Sequence, residues 1–182
     1  MEGGIRAWEG LMAEGAPEAG MAYFTAGDKP EEFIALAWVL EEGSRRFYSE
    51  IPALVDDDEV KRLFQRLTTA EEHHKAALVR LYRTFSGQEP GQDFPGSVVD
   101  ISPIDDVMEG GMRVSEALEW VKDKSFEAVF ELAIALETNA FDLYIRMSRN
   151  MKDDKSRQVF DQLSREEKKH LELLAGLFEK KY

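Results

Sequence analysis

Cysteine is absent from the 182 residues. Disulfides, thiolate catalysis and cysteine-ligated clusters are thereby excluded, and redox chemistry must rest on a metal with nitrogen and oxygen ligands or on a bound organic cofactor. The absence also fits a cytoplasmic location. Basic residues are in deficit: 23 Lys and Arg stand against 36 Asp and Glu, for a net charge of −13. This argues against a sequence-independent grip on nucleic acid, which needs a basic surface, and against docking on anionic lipid. No apolar run approaches the roughly 18–20 residues of a membrane span. The N-terminus has no basic region followed by an apolar stretch, so no secretory signal is expected. Hydrophobic residues make up 43% of the chain, enough for the core of one domain with a tail.

Residues 1–28 form that tail. They are rich in glycine, as a flexible linker would be. The segment Gly3-Gly4-Ile5-Arg6-Ala7-Trp8 also resembles the GGxxAW helix that closes many rhodanese domains, although no rhodanese cysteine loop accompanies it. The resemblance implies either the C-terminal part of a longer rhodanese-linked protein or a descendant that lost that domain.

From residue 29 the pattern is helical. Asp28 is a candidate cap for a first helix over about 29–52. Phe33, Ile34, Leu36, Ala37, Leu40, Phe47 and Ile51 recur along it at helical spacing, and Pro52 is expected to close it. Asp56-Asp57-Asp58 opens a second helix that should stop near Ser86-Gly87. Residues 87–112 are broken by glycine and proline. Short helices are expected around Pro103–Met108 and, capped by Ser115, over Glu116–Lys122. A third helix starts at Ser125 and a fourth opens at Asp153-Asp154. So long a connection suits helices 2 and 3 running parallel, because the chain must then return along a bundle about 37 Å long.

Glu71-Glu72-His73-His74 stands out within the second helix. Glu71 and His74 share a face at an i, i+3 spacing. One such pair alone carries little, since solvated helix pairs have the same spacing. Here it recurs. Glu137, Glu167 and His170 lie 96 residues after Glu41, Glu71 and His74. At the same offset Leu36 matches Leu132, Leu40 matches Leu136, Tyr48 matches Tyr144, Asp57 matches Asp153 and Phe64 matches Phe160. The fold expected is therefore all-α: a four-helix bundle of two repeated helical hairpins joined by a long crossover. Four glutamates and two histidines facing its interior would make a dinuclear metal site. Glu71 and Glu167 would bridge, Glu41 and Glu137 would bind terminally, and His74 and His170 would complete each sphere. Burying four carboxylates without cations is very unfavourable. Glutamate and imidazole suit iron or manganese, with zinc possible in vitro. Tyr48 and Tyr144, two turns beyond Glu41 and Glu137, are either core aromatics with satisfied hydroxyls or groups that hold a ligand carboxylate or shield the metals from stray oxidants. Glu72 and His73, matched by Lys168 and Lys169, fall outside the ligand set.

This constellation is that of ferritin-like di-iron carboxylate proteins. Residues about 29–182 resemble the rubrerythrin branch, on Leu40-Glu41 through Tyr48, Glu71-Glu72-His73-His74, Leu136-Glu137 through Tyr144 and Glu166-Glu167-Lys168-Lys169-His170. The resemblance implies two iron ions, reduction of hydrogen peroxide, and a homodimer with or without exchanged helices. The chain departs from the family twice. It has no cysteine-ligated rubredoxin domain, so electrons must come from an external donor. It also has Ala140 where rubrerythrins carry an extra glutamate three residues after the third-helix ligand. The expected activity is a di-iron oxidoreductase acting on peroxide or dioxygen. The alternatives are non-catalytic iron binding or storage, or a regulatory module linked to a rhodanese.

Overall fold

The computed structural model describes residues 29–181; the rhodanese-like segment and the Asp28 cap lie outside them. Among the described residues are five helices: α1 (Pro30–Leu54), α2 (Asp58–Ser86), α3 (Val114–Val121), α4 (Phe126–Asn150) and α5 (Asp154–Lys181). A 3₁₀ turn, Glu109–Gly111, lies in the connection between α2 and α3. The described residues contain no strand, only one isolated bridge between Val107 and Arg113. None of their helices is long and apolar enough to cross a membrane.

Local chemistry sets the helix ends. The Asp57 carboxylate accepts from the N–H groups of Glu59 (2.9 Å) and Val60 (3.2 Å), capping α2. Gly87 ends that helix at φ 66°, where its missing Cβ removes the steric penalty. Ser125 caps α4 by accepting from Ala128 N–H, and Asp153 accepts from Ser156 N–H at 2.8 Å at the start of α5. Two boundaries differ from expectation. Pro52 lies inside α1, which runs on to Leu54; so near the helix end, the lost hydrogen bond and the crowding of the Tyr48 carbonyl disturb only the last turn. Ser115 is inside α3 rather than its cap, and its hydroxyl donates to Asp106.

α1 packs on α2 and α4 on α5, giving two hairpins whose apolar faces meet in two core clusters. One holds Phe47 and Ile51 of α1, Val60 and Phe64 of α2, Val129 and Phe130 of α4, and Leu174 and Leu177 of α5. The other holds Ile34 and Leu40, Leu78 and Leu81, Leu143 and Met147, and Phe160 and Leu163. The N-terminal halves of α2 and α4 therefore share one end of the bundle, and these helices run parallel. The crossover must return the length of the bundle, and it does so against α1 and α4. Ile104 and Val107 join the second cluster; Met108, Val114, Ala117 and Val121 join the first. In place of a helix over Pro103–Met108 there are tight turns, with Ile104 N–H donating to Ile101 C=O at 2.8 Å and Val107 N–H to Ile104 C=O at 3.0 Å. The 3₁₀ turn follows, its glycines Gly110 and Gly111 at φ 82° and 78°. Positive φ at two successive residues ends any helical run there.

The crossover seats closely because α1 has a glycine beneath it. A Cβ on Gly43 would lie 2.2 Å from the Val107 carbonyl oxygen. Arg46 adds a hydrogen bond of 2.9 Å to the Asp105 carbonyl.

Candidate metal centre

Between the two core clusters lies a polar layer. Glu41, Glu71, His74, Glu137, Glu167 and His170 are all buried, the most exposed being His170 at 7%. Each hairpin contributes Glu from its first helix and Glu-x-x-His from its second. The six side chains fall into two groups, Glu41-Glu71-His74-Glu167 and Glu71-Glu137-Glu167-His170, each with ligand atoms close enough together to hold one metal ion. Glu71 and Glu167 stand in both groups, as carboxylates placed between two cations would.

Both imidazoles present Nδ1 to the carboxylates. His74 Nδ1 lies 3.2 Å from Glu41 Oε2, 3.1 Å from Glu71 Oε2 and 2.9 Å from Glu167 Oε1. His170 Nδ1 lies 3.0 Å from Glu137 Oε2 and 3.1 Å from Glu167 Oε2. The two rings stack with centroids 5.4 Å apart. Tyr144 hydroxyl, from the second hairpin, donates to Glu41 of the first. Of the alternatives for these tyrosines, Tyr144 thus holds a site carboxylate. Tyr48, equally buried, stands beside Glu137 in the matching position.

The charges do not balance within the protein. Burial, then the charge of Glu41, pushes the Glu71 carboxyl well above the usual range. Burial and Glu167 raise Glu137 to about 7 against a lowering hydrogen bond from His170. Burial also opposes charge on the two imidazoles, but the carboxylates outweigh it. His74 is held well above its ordinary value by Glu41 and Glu167, and His170 is raised to about 10 by Glu137 and Glu167. Glu167 is held far below the carboxylate range: burial would raise it, but His74 and His170 prevail. Even so, Glu71 Oε1 and Glu137 Oε1 are buried without a hydrogen-bond partner, and Glu71 Oε2 and Glu167 Oε1 have only His74 Nδ1 close by, outside hydrogen-bonding alignment. Orphaned buried carboxylate oxygens are costly and rare. A pair of divalent cations would satisfy them, and the donor set of carboxylate oxygen and imidazole nitrogen suits hard or borderline metals such as iron and manganese.

The repeat is imperfect in an informative place. His74 Nε2 is 3.1 Å from Glu166 Oε2, which fixes that ring through its outer nitrogen. The hydrogen bond with His74, foremost, holds Glu166 down at about 2. The position in the first hairpin that matches Glu166 is Ala70, which offers His170 no such acceptor. A cavity of about 250 Å³ lined by Ala70, Glu166, Lys169, His170 and Leu173 reaches His170 there. Glu72 and His73 are exposed, and Glu72 pairs with Arg45 at 3.2 Å.

One residue of this layer escapes the repeat. Glu109, in the crossover, is 2% exposed. Ser44 hydroxyl donates to its Oε2 at 3.1 Å, while Oε1 has no partner. Burial, then the charges of Glu41, Glu167 and Glu137, holds its carboxyl well above the usual range. The one sequence signal for it was an acidic residue ahead of paired glycines in a loop, which is uninformative without the fold.

No curated protein and no solved structure matches the chain. Residues 32–178 match the family model described as Rubrerythrin, and with most of its length covered the chain belongs to the rubrerythrin family.

Proposed function

We propose that the protein is a di-iron oxidoreductase that reduces hydrogen peroxide or dioxygen with electrons from an external donor. The observation that carries this reading is the pair of buried Glu and His groups that share Glu71 and Glu167. Two iron ions bound there would supply a two-electron reductant beside an O–O bond. Peroxide reduction takes up two electrons and two protons and yields two waters.

The protein's own residues prepare the site for this. Glu41 with His74, and Glu137 with His170, would each hold one ion, and Glu71 and Glu167 would hold the two together. Glu166 keeps His74 Nε2 occupied, so that the Nδ1 lone pair faces the carboxylates once its proton is lost. Tyr144 restrains Glu41 from across the bundle. The apolar clusters on either side exclude bulk water, which strengthens each electrostatic contact. The cavity at His170 supports an approach for an oxidant of peroxide size.

The test is rapid mixing of anaerobic diferrous protein with peroxide. Oxidation of iron within seconds, followed by re-reduction by a donor and further turnover, is the expected result. Iron that stays ferrous for many minutes would leave binding without turnover as the function.

A further inference from the structure

We propose that Glu109 is a seventh metal ligand, delivered to the centre by the crossover rather than by the bundle. The proposal rests on the di-metal reading of the site and extends its ligand set.

Three observations lead to it. Glu109 is 2% exposed although it is a carboxylate. Its bond with Ser44, one turn beyond Glu41, places it beside the centre, where the charges of Glu41, Glu167 and Glu137 act on it. Its Oε2 is tethered by Ser44, yet Oε1 is buried with no hydrogen-bond partner. An unpartnered oxygen in such a place has two remedies, a proton or a cation.

The backbone is also built to bring the side chain there. Gly43 lets the Val107 carbonyl pass against α1, where any Cβ would collide. Gly110, at φ 82°, packs so closely on Asn139 of α4 that a Cβ would lie 2.7 Å from its Nδ2. The positions one turn beyond the two first-helix glutamates are Ser44 and Ala140, both small and buried. Neither can reach a metal, and Glu109 enters on that side between the two helices. It stands outside both groups of four, so its carboxylate must swing inward from Ser44 to reach an ion held by either.

Cobalt(II) tests this with no redox step, because its visible absorption reports coordination number and donor type. Metal-free wild-type protein, E109Q and E109D would be titrated with Co(II), with circular dichroism as the check on folding. Wild type is expected to bind two ions. E109Q is expected to bind the weaker one at least tenfold less tightly and with an altered visible spectrum. E109D keeps the charge but is one methylene shorter, and should show the same spectral change; it also serves if E109Q does not fold. Spectra identical to wild type in folded variants, whatever the affinity, would overturn the proposal. Wild-type protein that binds fewer than two ions would instead overturn the di-metal reading, and this proposal with it.

Discussion

Glu71 and Glu167 belong to both ligand groups, whereas Glu41 and Glu137 each belong to one. The four glutamates should therefore differ when removed. Glu167→Ala is expected to abolish tight binding of both ions. Glu137→Ala should keep one ion, held by Glu41 and His74. Metal analysis after gel filtration reads the difference, and equal stoichiometry in the two variants would refute the sharing. The tyrosine is a finer probe. Tyr144→Phe removes the hydroxyl that donates to Glu41 and leaves the ring in place. Partners of this kind typically contribute about 10- to 100-fold in metal affinity, and a loss near the lower end is expected in Mn(II) competition titrations. An unchanged affinity would make Tyr144 a core aromatic only.

The crossover is the element that most affects the site without belonging to the repeat. Its fit depends on Gly43, where an added methyl would meet the Val107 carbonyl at 2.2 Å. Alanine is the better helix former in isolation, by about 1 kcal/mol, so propensity alone would make Gly43→Ala stabilising. The collision is with backbone, which cannot rotate away. Overpacking of this kind costs about 1–3 kcal/mol, and the net expectation is destabilisation. Urea unfolding should show a lower midpoint, and hydrogen exchange should accelerate from Ile104 to Met112 while α5 is less affected. A more stable variant would mean that the crossover is not seated on α1 as described.

At the scale of the whole molecule, the buried charge couples folding to protons and to metal. Without metal, His170 sits at about 10 against an ordinary 6.5. A raised imidazole contributes stability that is complete below 6.5 and is lost as pH rises through 10. Glu137 is raised from 4.5 to about 7. Below 4.5 it is protonated folded or unfolded and costs nothing, and as pH climbs through 7 the unfolded chain ionises first and stability falls. The two effects have the same sign, so the melting temperature of metal-free protein should fall between about pH 5 and about pH 9. Below that range Glu167, held far under its ordinary value, acts in the opposite sense, and stability falls again with acid. Metal ions need the same groups deprotonated, so the rise in melting temperature on adding Mn(II) should grow from about pH 5 to about pH 8. Melting curves with chelator and with metal check both slopes; a metal-free protein that becomes more stable with rising pH in that interval would contradict them.

The four long helices, their pairing and the candidate ligand set are legible along the chain, because all three are periodic. Helical spacing placed the apolar faces, and one offset of 96 residues tied Glu41, Glu71 and His74 to Glu137, Glu167 and His170. A local rule also placed the ends of α2 well, since Asp57 and Gly87 act through their immediate neighbours. Pro52 and Ser115 misled, because a proline near a helix end disturbs only the last turn and a serine hydroxyl bonds to whatever the fold brings near. What the connection does follows from packing that no periodicity reports. Glu109 has no repeat partner and no helical period; its burial follows from the path of the crossover over Gly43 and against Asn139. The difference between His74, closed by Glu166, and His170, open to a cavity beside Ala70, likewise exists only across packed helices. Periodic features are written along the chain, whereas a single side chain carried by an irregular segment takes its meaning from the surface on which that segment comes to rest.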